Sequence, residues 1–324
     1  MFDKYYNNNI YMQDCVLLTG GAGFIGSHIA EELLLRKYKV KILDNLSTGK
    51  KSNVDRLLPN PNLEFVYGDI ANLETVRGAC NGVNLICHQA AVGSVPKSIV
   101  DPLNSHITNV NGFLNILLVA KEKGIKRIVY ASSSSVYGDS EKLPKKEDET
   151  GNLLSPYAVT KYVDELYAGV FSKLYGLQCI GLRYFNIFGP RQDPLSQYSA
   201  VIPKFINTIK ENNKPVINGD GNFSRDFTYV DNAVLANCLA LFTTNELCYG
   251  EVLNIGAESR ITILEMFNKI KVLMNSNIEP IFGPERVGDI PHSNANIDKA
   301  VSMLGYNPVI DFDTGLEKTV KWFC

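Results

Sequence analysis

Cys15-Val16-Leu17-Leu18-Thr19-Gly20-Gly21-Ala22-Gly23-Phe24-Ile25-Gly26-Ser27 is the stretch on which the fold turns. A short apolar run over 15–19 reads as a strand and passes straight into glycines at 20, 23 and 26, ahead of a helical pattern over 27–37. Glycines at that spacing permit a tight turn and let the backbone approach a pyrophosphate, and the helix start beyond offers unpaired N–H groups with a partial positive charge. A glycine motif alone is weak; one lying between a strand and a helix has the context that gives it meaning. Phe24 and Ile25, between the second and third of these glycines, belong to the same site. Asp44 closes the next strand, 18 residues after Gly26, with Asn45 beside it. A carboxylate there accepts from both ribose hydroxyls and repels a 2′-phosphate, and no Arg follows closely, so the cofactor expected is NAD, not NADP.

Outward from this turn, strand patterns over 15–19, 40–44, 63–69, 83–89, 127–132 and 178–183 alternate with helical patterns over 27–37, 102–123 and 156–175. Strand–helix alternation implies parallel strands with right-handed crossovers, hence an α/β, Rossmann-type doubly wound sheet. The strands are apolar on both faces, as a sheet covered on both sides requires. After Arg183 the rhythm changes: 184–229 is rich in Gly, Pro, Asn and Asp, and helices are expected over 201–212, 231–242, 263–274 and 314–323. A strand is expected over 251–255 and a loop over 282–296. The organisation expected is an extension over 1–14, a dinucleotide-binding domain over 15–185 and a smaller C-terminal α/β substrate domain over 186–324, some of whose segments rejoin the first sheet.

Composition removes several function classes. The formal net charge is −2, so no basic surplus marks a nucleic-acid or anionic-membrane binder. Seven scattered cysteines without a CxxC pair read as reduced thiols, hence a cytoplasmic protein. Four histidines without ligand spacing offer no metal site, and no run of 18 apolar residues spans a membrane.

Tyr157-Ala158-Val159-Thr160-Lys161 puts a phenol and an ammonium one helical turn apart on the same face. The Lys charge favours the phenolate and makes Tyr157 a usable base for a sugar hydroxyl. One Tyr-x-x-x-Lys is expected by chance in a chain with 16 tyrosines, so its setting has to carry the reading. This one opens a helix after Ser155-Pro156 and follows a strand ending in Ser132-Ser133-Ser134-Ser135. Hydroxyls at the C-terminal edge of a parallel strand lie where such sheets bind ligands. Asp69, with Ile70 beside it, is placed to accept from the adenine amino group, with a simple turn cap as its bland alternative, and Ala90 and Ala91 are small enough for a cofactor to pass over.

GGAGFIG (20–26), DNLSTG (44–49), HQAA (88–91), SSSSVYGD (132–139), SPYAVTKY (155–162), LRYFNIFGPRQDP (182–194) and SRDFTYVDN (224–232) together resemble the extended short-chain dehydrogenase/reductase superfamily. Within it the chain is most similar to the UDP-N-acetylglucosamine 4-epimerases, relatives of UDP-galactose 4-epimerase, over essentially everything after residue 14. The resemblance implies oxidation of sugar carbon 4 with bound NAD, rotation of the 4-keto sugar, and return of hydride to the opposite face. It makes Tyr157 the base, Lys161 the residue that holds the ribose and tunes Tyr157, and Ser133 or its neighbour Ser134 the assisting hydroxyl, with Ser132 in the cofactor wall. It places Asn109 on the nicotinamide side and Phe185 beside the carboxamide. It gives Arg225 and Arg286 the substrate diphosphate, Asp289 the uridine ribose, and Asn186 and Gln192 the substrate. Ala200, Val201, Lys204, Val216 and Asn218 lie on segments that contact uridine, and Gly93, Ser94 and Ser293 border the sugar. It also implies a homodimer through helices 102–123 and 156–175, with Phe113, Leu117, Leu166 and Val170 as candidate contacts. Ser134-Ser135 stands where dehydratases of the superfamily carry Asp-Glu, which favours an epimerase. Other nucleotide-sugar-modifying members, UDP-galactose or UDP-uronate epimerases among them, are the alternative reading, and a non-catalytic NAD sensor a remote one.

Overall fold

The computed structural model describes residues 14–194, 201–285 and 290–324. The first half runs β1 (Cys15–Thr19), α1 (Phe24–Leu35), β2 (Lys39–Asp44), α2 (Lys51–Asp55), β3 (Leu63–Tyr67), α3 (Leu73–Ala79), β4 (Leu85–His88), α4 (Val95–Val100) and α5 (Pro102–His106). A π turn (Ile107–Asn111) leads into α6 (Gly112–Lys123), followed by β5 (Arg127–Ser133), α7 (Pro156–Tyr175) and β6 (Gln178–Tyr184). The second half runs β7 (Ile187–Phe188), α8 (Val201–Lys210), β8 (Val216–Asn218), β9 (Ser224–Arg225), β10 (Thr228–Tyr229) and α9 (Val230–Phe242). It ends with β11 (Val252–Ile255), β12 (Ile261–Thr262), α10 (Ile263–Leu273), β13 (Ile281–Gly283), α11 (Asp298–Leu304) and α12 (Phe312–Phe323).

Seven parallel strands form one sheet in the order β3-β2-β1-β4-β5-β6-β11. The order reverses between β1 and β4, and the crevice beyond the strand ends at that switch is where doubly wound sheets bind ligands. Each face carries its own core. One joins α3, α6 and α7 to the sheet through Val76, Phe113, Ile116, Ile128 and Phe171. The other packs α1 and α9 through Ile29, Leu33, Leu235 and Leu239. α9 is buried all round, as a helix with an apolar circumference must be. Its Asn237 stays satisfied by donating to the Tyr184 hydroxyl at 2.6 Å and accepting from Gln89 at 3.0 Å. A third core, around Phe188, Phe205, Ile217, Phe267 and Phe312, holds α8, α10 and α12 together.

Two elements differ from the sequence expectation, and a third follows it. The pattern over 102–123 is not one helix: a π turn interrupts it, and π turns often mark functional sites. Part of the stretch expected as a loop over 282–296 is strand, because β13 pairs with β8 in parallel. The strand expected over 251–255 does rejoin the first sheet, as β11 beside β6. Among the described residues no helix is long and apolar enough to cross a membrane, and all seven cysteines are free thiols.

Candidate active site

The glycine turn is built as the sequence requires. Gly20 has φ +71, and a Cβ there would lie 2.6 Å from the Ala90 nitrogen. A Cβ on Gly26 would lie 2.2 Å from the Gly20 carbonyl oxygen. A side chain at either position would push the turn off β4 or off the first turn of α1. Gly23 caps α1 without a side-chain bond, and the first turn holds no acidic residue, so the leading N–H groups of Phe24 and Ile25 have no intrahelical acceptor. Their side chains pack away into the apolar clusters.

Asp44 is buried, and its two oxygens accept from the N–H groups of Ala22 at 2.9 Å and Leu46 at 2.8 Å. Burial raises its pKa, and these two bonds pull it back down. Each carboxylate oxygen keeps a second lone pair, which is what a ribose diol needs. Asp69 lies just beyond β3, not at its end. One of its oxygens caps the turn from Ala71 at 2.8 Å, and the other accepts from Asn45 at 2.9 Å. Ile70 is buried against the position of Gly112, and Ala90 donates to Thr19 Oγ1 at 3.3 Å. Ala91 is half-buried beside it. The glycine cradle, the open start of α1 and the Asp44 carboxylate together fit a dinucleotide with a free ribose diol. Replacing Asp44 with Ala is expected to weaken NAD retention about tenfold or more, on the scale of one charge-assisted hydrogen bond. The check is the cofactor released when the purified protein is denatured, and NADP in the wild-type protein would defeat the ribose reading.

At the other side of the switch, β5 delivers its serines and α7 its Tyr and Lys. Ser155 caps α7 by accepting from Ala158 at 3.1 Å, which starts the helix one residue before Tyr157. The backbone N–H of Tyr157 donates to Ser98 Oγ on α4 at 3.0 Å. Lys161 is buried, and its Nζ donates to the Ala131 carbonyl at 2.9 Å and lies 3.3 Å from Asp164 Oδ2. The ammonium is thus pinned to the strand that carries the serines. Ser133 Oγ accepts from the Ser135 N–H at 3.1 Å, and Ser134 is half-buried beside it. Ser132 is different: it is buried and donates to Glu165 at 2.5 Å. Glu165 in turn is clamped by Arg183 through bonds of 2.9 and 2.8 Å. Removing one partner of such a buried pair costs about 3–5 kcal/mol.

Two residues expected at the cofactor are fully buried in the structure. Asn109, on the π turn, is fully buried: it accepts from Val92 at 2.8 Å and donates to Thr160 Oγ1 at 3.0 Å, tying the loop after β4 to α7. Phe185 is fully buried, with its ring centroid 5.8 Å from that of Tyr137.

The expected substrate residues fall into two groups. Gly93 is exposed, and Ser94 caps α4. Asn186 takes a left-handed φ of 37° and donates to the Asp226 carbonyl at 3.3 Å. Gln192 donates to the Ile187 carbonyl at 3.0 Å, leaving its buried Oε1 without a partner among the described residues. Arg225 Nη1 lies 3.0 Å from the Ser224 carbonyl and 3.2 Å from that of Pro291, and Ser293 donates its N–H to the Ser224 carbonyl at 3.0 Å. These bonds bring β9 and the 290–293 segment together. The second group lies on α8 (Val201, Lys204) and on β8 (Val216, Asn218). Ala200, Arg286 and Asp289 lie outside the described residues.

Sequence reasoning missed Ser98, Asp164, Glu165, Arg260 and His292. Arg260 Nε donates to Ser224 Oγ at 2.8 Å, and His292 Nδ1 is 2.9 Å from the same oxygen. None of the five belongs to a spacing motif, so only the fold brings them to the site.

A sheet with this strand order, a glycine turn at its switch and a Tyr–Lys pair beside strand-end serines defines a dinucleotide-dependent short-chain enzyme. The model of the NAD dependent epimerase/dehydratase family matches residues 16–256, and the chain belongs to that family. A UDP-N-acetylglucosamine 4-epimerase from Methanobrevibacter ruminantium M1, solved in complex with UDP-N-acetylmuramic acid, is 40% identical with a TM-score of 0.90, covering 96% of this chain and 97% of that one. The UDP-glucose 4-epimerase of Thermus thermophilus, solved in complex with NAD, is 33% identical with a TM-score of 0.86, covering 95% and 98%. A UDP-N-acetyl-alpha-D-glucosaminuronate decarboxylase of Bacillus cytotoxicus is 33% identical over 323 residues, 96% of this chain and 98% of that protein. NAD is the cofactor of this family, and the residues of the glycine turn and Asp44 fit it.

Proposed function

We propose that the protein interconverts UDP-N-acetylglucosamine and UDP-N-acetylgalactosamine by 4-epimerisation, with UDP-glucose and UDP-galactose as poorer substrates. The observation that carries the reading is the anchoring of Lys161 to the Ala131 carbonyl, one helical turn from Tyr157 and directly before the strand-end serines. NAD, which the glycine turn and Asp44 would hold, would supply the hydride acceptor and donor for carbon 4. Tyr157 takes the proton of the carbon-4 hydroxyl and returns it once the sugar has turned over. Lys161 stabilises the Tyr157 phenolate, and Ser133, with Ser134 beside it, holds the sugar oxygen by a hydrogen bond. Arg225 and Arg286 meet the diphosphate, Asp289 the uridine ribose, and Ala200, Val201, Lys204, Val216 and Asn218 the uridine. In this division residues 15–185 bind the cofactor, and 186–324 bind most of the substrate.

Chromatography of the products from UDP-GlcNAc and UDP-Glc tests the reaction. The expected result is the pair of carbon-4 epimers, formed faster from the N-acetylated substrate, with no water or carbon dioxide lost. Loss of carbon dioxide from a UDP-uronate in place of epimerisation would give the reaction of the Bacillus cytotoxicus relative instead.

The same reading includes a homodimer. Ile99, Val100, Leu103, Leu166, Val170 and Leu174 are exposed on α4, α5 and α7, which pack on one another and so form one apolar face. Phe113 and Leu117, expected to share that role, have no exposed surface and belong to the core beneath the sheet. Light scattering is expected to give twice the mass of one chain, and a monomer at every concentration would defeat the idea.

A further inference from the structure

In contact with Lys161, two helical turns along α7 from the proposed base, lies a buried acid that the reaction as described does not use. Asp164 is 1% exposed. One of its oxygens faces Lys161 Nζ at 3.3 Å, and the other, Oδ1, has no hydrogen-bond partner among the described residues. A buried carboxylate with one oxygen unmet is costly, and a fold that only needed a helix residue here would place an apolar one. The neighbouring charges are accounted for. Glu165, the next residue, is held by Arg183 from β6 and by Ser132 from β5. His88 on β4 is pushed down to about 3 by burial and by the Lys161 charge, so it is neutral. Tyr130 on β5 is raised well above its ordinary value by burial, with Glu165 and Asp164 adding to the effect, and is neutral as well. From the π turn and α6, Asn109 and Phe113 bring no charge. Among the described residues Lys161 therefore has one anion in contact, Asp164.

We propose that Asp164 is a positioning residue that sets how much of the Lys161 charge reaches the Tyr157 phenol, a proposal that rests on Tyr157 being the base. A carboxylate touching the ammonium cancels part of its field at a third group, while the bond also keeps Nζ beneath the Ala131 carbonyl. Burial pushes the Asp164 carboxyl up to about 7, against the pull of Lys161 and with a further push from Glu165. The counter-charge therefore develops across neutral pH. Below that range Asp164 is neutral and the full Lys161 field favours the phenolate; above it the field is reduced and Tyr157 holds its proton more tightly. The device opposes the ionisation of Tyr157 as the pH rises.

The test is an ultraviolet difference titration of tyrosinate in the NAD-loaded protein, with Tyr157→Phe as the blank. Asp164→Asn keeps the side-chain shape and removes the charge, and the Tyr157 midpoint is expected to fall by about one pH unit. Asp164→Ala should move it in the same direction, and it stands in should the Asn variant not fold. The acid limb of the kcat profile should move down with the midpoint. A purely structural role would lower the melting temperature and leave the midpoint in place, so an unmoved or raised midpoint overturns the proposal. Titrations of wild type and Tyr157→Phe that coincide would instead overturn the assignment of the base, whatever Asp164 does.

Discussion

Tyr157→Phe is expected to lower kcat by about 100-fold or more while the fold and the bound NAD are kept. The structure makes this a clean substitution. The bonds that Tyr157 makes to the rest of the protein are backbone bonds: its N–H donates to Ser98 Oγ, and its carbonyl accepts from Thr160 Oγ1 at 2.8 Å. Among the described residues the phenol oxygen has no partner, so removing it orphans nothing in the core. Lys161 also stays in place, since Ala131 and Asp164 hold it independently of the phenol. On the proposed reaction, what is lost is the group that moves the proton on the carbon-4 oxygen. The measurement is steady-state turnover with UDP-GlcNAc beside thermal unfolding and released NAD. Turnover within a few-fold of wild type, with both controls unchanged, would take Tyr157 out of the reaction.

The parts of the molecule that the sequence made legible are those in which a local pattern decides the structure. The first strand, the glycine turn and α1 follow one another without a gap, and Gly20 and Gly26 stand where any side chain would strike backbone. α7 runs over the residues expected of it because Ser155 and Pro156 start it and Gly176, at φ +68, ends it. The misses share a different cause. A π turn adds one residue to one turn, and a 3.6-residue pattern averaged over 102–123 does not register it. β13 is three residues long with exposed Ile281 and Phe282, and only its pairing with β8 makes it a strand. Asp164 and Glu165 belong to no motif in the sequence. Only the sheet packed over them turns them into a buried pair beneath the site.

Substrate choice is the outcome expected to change most from a single substitution. Ser293 follows the short parallel bridge between Ser224 and His292 and is tied to Ser224 by its N–H, so its Cα is fixed while its side chain is small. In the proposed function this position borders the 2-substituent of the sugar. A hydroxymethyl group leaves room for an acetamide and offers it a hydrogen bond, which is worth about 1–3 kcal/mol when its loss leaves a buried partner unmet. A phenol ring at the same Cα occupies that room, and the backbone bond to Ser224 prevents the segment from backing away. Ser293→Tyr is therefore expected to abolish turnover of UDP-GlcNAc and UDP-GalNAc while leaving measurable epimerisation of UDP-Glc and UDP-Gal, a reversal of specificity and not a general loss. Ser293→Ala separates the two contributions: it keeps the space and removes the hydroxyl, and it should cost the N-acetyl reaction about tenfold in kcat/KM without improving the plain hexoses. Both variants are read by chromatography of the four UDP-sugars under identical conditions. Full N-acetyl turnover in Ser293→Tyr would show that the 2-substituent lies elsewhere in the pocket, and equal loss on all four sugars would show a damaged site in place of a gate.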